Sequence, residues 1–520
     1  MGCQCFSGGA VVRATRLSIN FTSTTVMRKV INPQYLLDGV DIGAIYLDPK
    51  SRDDIPQVLR GLQYIYTNEE LRARVFAILR EVIPVRAKGD GKADADKGRP
   101  GMEQWRILVL GVMRLGLNAD YDRIQELANQ HGTLRQMLGH GDWDDKTEYK
   151  LQTLKDNLRL FTPELLDRIN QEVVRAGQVL VKKKAPDEAL AARVDSFVVE
   201  TNVHYPTDIN LLWDAIRKTI EIARDLGEEY DLTDWRQSAY QLREFKKLYR
   251  AAQKHKRANI KDEAKRAAKR ALVQTAHQAY IDRAREHVQR ARQTRARLAE
   301  RVLCEGLLSE LDLFIEHAER QIDQIDRRVL QDQRIPHEEK VFSLFQPHTE
   351  WIVKGKAGVP VELGLRTCIV EDQFGFILHH QVMEKTTDDA IAVSIVTDTR
   401  QRFTLGSVSM DKGFHSPANR RELEQLVGLV VMPKKGRLSA VDRAREADEE
   451  FVRLRQKHSA VESAINALEA HGLDRCPDHG IVGFKRYVAL AVVARNVQRL
   501  GAVLRQQDAE RIRKQYRRAA

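Results

Sequence analysis

Three acidic residues define the chemistry open to this chain. Asp195 stands in RVDSFVVETN, Asp411 in SVSMDKGFHSP and Glu462 in KHSAVESAINALEAHG. Asp195 heads a run rich in β-branched residues (Val194, Phe197, Val198, Val199) that reads as a strand buried on both faces. A carboxylate there needs a cation or a proton. Asp411 ends a second short strand, and Gly413 lets the chain turn tightly beside it. Glu462 lies between Val461 and Ile465, half embedded in an apolar helical face that His458 and Arg455 share. Two acids on strand ends and one on a helix can hold two Mg²⁺ ions about 3.5–4 Å apart. Such a pair activates a water or hydroxyl and stabilises the leaving oxygen of a phosphodiester. Taken singly, each acid is more often a cap or an ion-pair partner, and spacing alone does not choose between these roles.

The elements that must bring these acids together follow from periodicity. Residues 27–84 and 102–180 carry apolar residues at helical spacing, with Asn68 as an N-cap. A polar, Gly-rich linker spans 86–101. The strand of Asp195 is broken by Pro206, after which Thr207 or Asp208 caps a helix. Helical pattern then runs to about residue 335. From residue 349 the period changes to two. Strands are expected at 351–353, 361–370 and 376–383, with Asp372–Gly375 as the turn between the last two. Thr387, Asp388 and Asp389 cap a helix to about residue 400. A strand over 406–410, a helix opened by Ser416-Pro417 and a strand over 427–432 follow. A long helix over 440–470 carries Glu462, and a last apolar helix covers 484–503. Strand, helical insertion, then alternating strands and helices predict an α/β fold with a mixed sheet.

Charge points to the partner. Charged residues are 30 % of the 520, net charge is +12 and the pI is about 9.3, which favours an anionic partner such as nucleic acid. Residues 243–301 hold 19 Lys and Arg against 6 Asp and Glu, an excess as large as that of the whole chain. Lys256, Arg257, Lys265, Arg266, Lys269 and Arg270 sit in this stretch on an Ala-rich helix. A solvated charged helix normally mixes both signs, so the run reads as a helical arm that tracks phosphates. Five scattered cysteines form no disulfide framework and suit a reducing compartment. No apolar run approaches the roughly 20 residues of a membrane span, and residues 1–26 read as a disordered or spurious extension. His471, Cys476 and His479 cluster, but lack a fourth zinc ligand and read as a structured turn.

The segments RVDSFVVETNVHYPTD, HTEWIVKGKAGVPVELGLR, DQFGFILHHQVMEKTTDD, DKGFHSPANRREL and HSAVESAINALEAHGLDRCPDHGIVGFKRYVALAVVARN resemble ISNCY-type insertion-sequence transposases, within the DDE transposase superfamily. The resemblance covers about residues 100–505. It implies an RNase H-like catalytic core (190–210 and 349–505). A basic helical insertion (211–345) would interrupt that core. The periodicity itself places an all-helical region (27–180) before it, whose short helices suit DNA binding and an inert bundle equally well, and a basic tail (506–520) after it. It implies Asp195 on the first strand, Asp411 after the fourth and Glu462 on the C-terminal helix as the catalytic, metal-binding triad, with two Mg²⁺ ions that Mn²⁺ can replace. The reaction implied is hydrolysis at transposon ends, then attack of the freed 3′-OH on target DNA. It would be carried out by a homodimer or larger assembly on double-stranded DNA, in a bacterial cytoplasm at the nucleoid and without a membrane. Lys354, Lys356 and His415 are further phosphate-contact candidates. The family's Tyr, Arg and Lys around the glutamate are here Arg455, His458 and Glu469, so strand contacts do not carry over; Arg455 and His458, on the helical face of Glu462, are DNA-contact candidates only. The rival readings are an RNase H-like nuclease and a catalytically silent DNA-binding protein of the same fold.

Overall fold

A computed structural model describes residues 40–82, 101–141, 145–181, 188–254, 261–301, 305–353 and 360–519. The extension 1–26, the linker up to residue 100, and Lys256, Arg257, Lys354 and Lys356 lie outside the described residues.

The frame is a seven-stranded mixed sheet. Its strands are β1 (Leu190–Thr201), β2 (Glu350–Val353), β3 (Val361–Glu371), β4 (Ile377–Met383), β5 (Leu405–Met410), β6 (Leu429–Val431) and β7 (Arg475–Cys476). β1 is central, antiparallel to β3 and parallel to β5, and β5 is parallel to β6. β2 and β4 pair with successive parts of β3, and β7 adds two residues parallel to the end of β1. The predicted turn forms as expected. Asp372 accepts the N–H groups of Phe374 and Phe376 at 2.8 and 3.0 Å, and Gly375 takes φ +81, a conformation glycine adopts at no steric cost.

One hydrophobic core runs from Ile42 to Leu504 and takes in the helices before the sheet, the sheet itself and the last helix. The last helix, Gly480–Ala519, is the axis of this core. Gly61 of the helix Asp54–Thr67 meets it so closely that an added Cβ would lie 2.2 Å from the Val497 carbonyl oxygen. Gly501 likewise comes up to Gln57. The expected break near residue 503 is absent, because nothing between Leu504 and the Arg-rich end interrupts helical geometry. The expectation about membrane-length apolar runs is also corrected. This helix contains an 18-residue window with mean hydropathy 1.2, enough by composition, but 78 % of that window is buried inside the protein. It is a core helix and does not indicate a membrane protein.

The insertion between β1 and β2 has a hydrophobic core of its own, from Leu211 to Leu344. Its helices are Asp208–Glu229, Ser238–Lys254, Glu263–Ala299 and Glu305–Ile325. Phe245 stacks on Tyr280 with ring centroids 4.8 Å apart, and the buried Trp235 donates its indole N–H to Thr294 at 3.0 Å.

Candidate active site

β1 begins three residues before Arg193, so Asp195 lies within the strand and not at its head. The parallel register sets Val194 beside Met410. The next residue on each strand is an acid, Asp195 on β1 and Asp411 just past β5. Asp411 precedes the 3₁₀ turn Lys412–Phe414 but makes no side-chain hydrogen bond to it. The turn is anchored instead by the buried Phe414, which leaves the carboxylate available. Gly413 has no positive φ. It lies close to Asp388, since a Cβ here would stand 3.0 Å from Asp388 Oδ2.

The long helix expected over 440–470 is three helices, Ala440–Glu446, Glu449–His458 and Ala460–Leu468. Asp448 explains one break, because its side chain accepts the Glu450 and Phe451 N–H groups and starts a new helix. Glu462 therefore sits in the first turn of a nine-residue helix and not on the C-terminal helix. A kink with Gly472 at φ +100 and the strand β7 separate the two. Val461, Ala464, Ile465 and Leu468 bury one face of this helix, while Glu462 itself is exposed and not half embedded.

The charges of the other two acids act on Asp195. The Asp195 carboxyl is pushed up to about 6, first by burial and then by the like charges of Asp411, Asp388 and Glu462, against a hydrogen bond from the Ser196 N–H. That bond is 2.8 Å long. Asp195 is half-buried, and Asp411 and Glu462 are exposed. His458 joins them. Its Nδ1 shares a 3.0 Å hydrogen bond with Ser409 Oγ, and burial holds it below the ordinary histidine range, with Asp411 and Glu462 pulling the other way. Arg193 bonds Glu371 at 2.8 Å, and burial pushes Glu371 up to about 7.

Among the described residues, no group of three or more His, Cys, Asp or Glu side chains is already drawn into a geometry that would hold a metal ion. The donor set nonetheless suits a hard divalent cation. Asp195, Asp411 and Glu462 supply only oxygen, and their mutual repulsion is the kind that Mg²⁺ or Mn²⁺ relieves.

The remaining candidates fall elsewhere. His415 lies next to Arg445, Arg420 and Lys434, which with burial lower its pKa. Arg455 is exposed and points toward Glu446 at 4.0 Å. Lys265, Arg266, Lys269 and Arg270 are in the first turns of the helix Glu263–Ala299, where Arg266 approaches Glu263 and Arg270 approaches Asp332. The one-sign character of this helix is corrected by its neighbours. Arg285 bonds Asp326, Arg292 bonds Glu319 and Arg295 bonds Asp312. His479 bonds Gln346 and the Cys476 thiol points at the Asp478 carbonyl. Sequence reading took Asp388 only for a capping residue and missed it as a fourth acid. Thr387 alone could fill the N-cap position, which left the following Asp-Asp pair as the available signal.

Residues 333–497 match the profile of the family described as "Transposase DDE domain". No curated protein and no solved structure matches the chain. This part of the chain is similar to transposase DDE domains, which supports reading the protein as a DDE transposase. The mixed sheet with helices on it is consistent with the RNase H-like fold expected for such a domain.

Proposed function

We propose that Asp195, Asp411 and Glu462 are the metal-binding, catalytic triad of a transposase that cleaves transposon terminal inverted repeats and joins them to target DNA. The observation that carries this reading is the β1–β5 register, in which Asp195 and Asp411 each follow a member of the Val194–Met410 pair, while the charges of Asp411 and Glu462 both act on the Asp195 carboxyl. Bound divalent cations would supply polarisation of the scissile phosphate and an activated water or 3′-hydroxyl. Asp195, Asp411 and Glu462 would hold them. In hydrolysis the water oxygen bonds to phosphorus, the P–O3′ bond breaks, and the 3′ oxygen takes a proton. In joining, that 3′-OH loses its proton and attacks a target phosphorus, releasing the target strand's own 3′ oxygen.

The chain's own groups set the conditions. The raised Asp195 pKa means that cation and proton compete for one carboxylate near pH 6. His458, kept neutral by burial, can accept a hydrogen bond next to Asp411 and Glu462 without adding positive charge that would repel a cation. Double-stranded DNA as substrate follows from the family. Basic residues of the insertion, assembly as a homodimer or larger complex on DNA, and a place at the bacterial nucleoid belong to the same proposal.

The test uses labelled DNA carrying the element's own ends, with Mg²⁺ or Mn²⁺, comparing wild type with Glu462→Gln. Cleavage and joining by wild type, with binding but no cutting by the variant, support the proposal. Equal cutting by both would sink the assignment of Glu462. Binding without cutting by either would favour a silent DNA-binding protein.

A further inference from the structure

Asp388 occupies the first turn of the helix Asp388–Arg400, whose N-cap residue Thr387 makes no side-chain cap. Asp388 Oδ1 accepts the Ser196 hydroxyl at 2.7 Å. The Ser196 backbone N–H donates to Asp195 Oδ1 at 2.8 Å. A single residue of β1 therefore contacts both carboxylates through different groups. The other oxygen of Asp388 lies against Gly413, two residues beyond Asp411, so tightly that an added Cβ would be 3.0 Å away. The start of this helix is locked to the same turn from a second side. Asn419 Nδ2 donates to the Asp389 carbonyl at 2.6 Å and to the Phe414 carbonyl at 2.9 Å. Asp388 is thus wedged between the strand that carries Asp195 and the turn that carries Asp411.

We propose that Asp388 is a positioning residue of the carboxylate site, fixing the separation of Asp195 and Asp411 through the Ser196 hydroxyl and the contact at Gly413. This rests on the reading of Asp195, Asp411 and Glu462 as cation ligands. A ligand pair held at fixed separation binds a cation without first being ordered, and partners that orient ligands typically contribute about 10–100-fold in metal affinity. A plain helix-start acid, favoured only by the helix dipole, would affect stability and leave cation affinity alone.

The experiment is calorimetric titration of Mn²⁺ into the full-length protein, with thermal unfolding of each metal-free variant alongside. Ser196→Ala and Asp388→Ala are each expected to weaken Mn²⁺ binding about 10-fold, and the double variant to be no weaker than the weaker single one. Asp388→Asn keeps an oxygen that accepts the hydroxyl and should bind Mn²⁺ more tightly than Asp388→Ala. Additive losses in the double variant would overturn the proposal. So would an unchanged Mn²⁺ affinity in Asp388→Ala while Asp195→Asn loses binding, with or without a lower melting temperature. If wild type and Asp195→Asn fail equally to bind Mn²⁺, the ligand reading itself falls, a result distinct from failure of the Asp388 role alone. Should Asp388→Ala not fold, Ser196→Ala carries the test.

Discussion

In the insertion, Arg292 meets Glu319, Arg295 meets Asp312 and Arg285 meets Asp326. At the sheet, the charges that act on Asp195 are other carboxylates, Asp411, Asp388 and Glu462. The insertion pairs these arginines with acids of a neighbouring segment and buries aromatic rings beneath. The sheet gathers like charges where β5 ends beside the middle of β1. Neutral pairing costs little and serves a scaffold, whereas like-charge crowding is unfavourable to the fold and is useful where a cation is to be taken up. The same contrast separates the two hydrophobic cores. Residues before β1 share theirs with the sheet, and the insertion has one to itself.

The sharpest way to break this contrast is Asp195→Asn. If the crowded acids are the working part, cleavage of end DNA should fall about a thousandfold while DNA binding persists in a filter or gel-shift assay. Next comes the separate core of the insertion. Phe245→Ala should destabilise by about 3–5 kcal/mol, and calorimetry should show an early transition that leaves the sheet's own transition in place. A single lowered transition would mean that the two cores unfold together. Smaller is Gly501→Ala, where the new methyl meets the Gln57 carbonyl. Overpacking should cost about 1–3 kcal/mol, read as a lower midpoint in urea and assigned to the sheet's transition. Mildest is the pairing itself. A double-mutant cycle on Arg292 and Glu319, both exposed to solvent, should return about 0.2–1 kcal/mol.

A pH series sharpens the same contrast. Asp195 holds its proton to about 6 in the folded state against 3.8 without the fold, so the folded state binds more protons between these values. Cation-free stability should therefore fall as pH rises through that window. Glu371, raised to about 7, extends the fall in the same direction. Asp195→Asn should remove the part of the slope below about 6, as measured by denaturant midpoints at successive pH values. Mn²⁺ affinity should rise over the same interval as the proton leaves.

Much of this was legible in the residues. Thr207 and Asn68 cap the helices they were expected to cap, Asp372–Gly375 turns between β3 and β4, and the insertion falls between β1 and β2. These are local features, decided by side-chain hydrogen bonds over three or four residues or by strong periodicity. The break at Asp448 was missed because a surrounding helical period masked a cap. β7 was missed because two residues carry no period at all. The surroundings of Gly413 were missed because the atom close to it, Asp388 Oδ2, comes from a helix more than 20 residues earlier.

By itself the sequence determined the alternation of strands and helices and the overall positive charge, since each depends on residue type and near neighbours. Tertiary structure alone decided three further things. The register of β1 on β5 set two acids each just after a member of the Val194–Met410 pair. Glu319, Asp312 and Asp326 came round to pair with arginines of an arm that looks uniformly basic in sequence. Ser196 was placed to hold Asp388 beside Asp195. All three are contacts between residues far apart in the chain, and such contacts are set by how buried apolar faces pack rather than by any local preference.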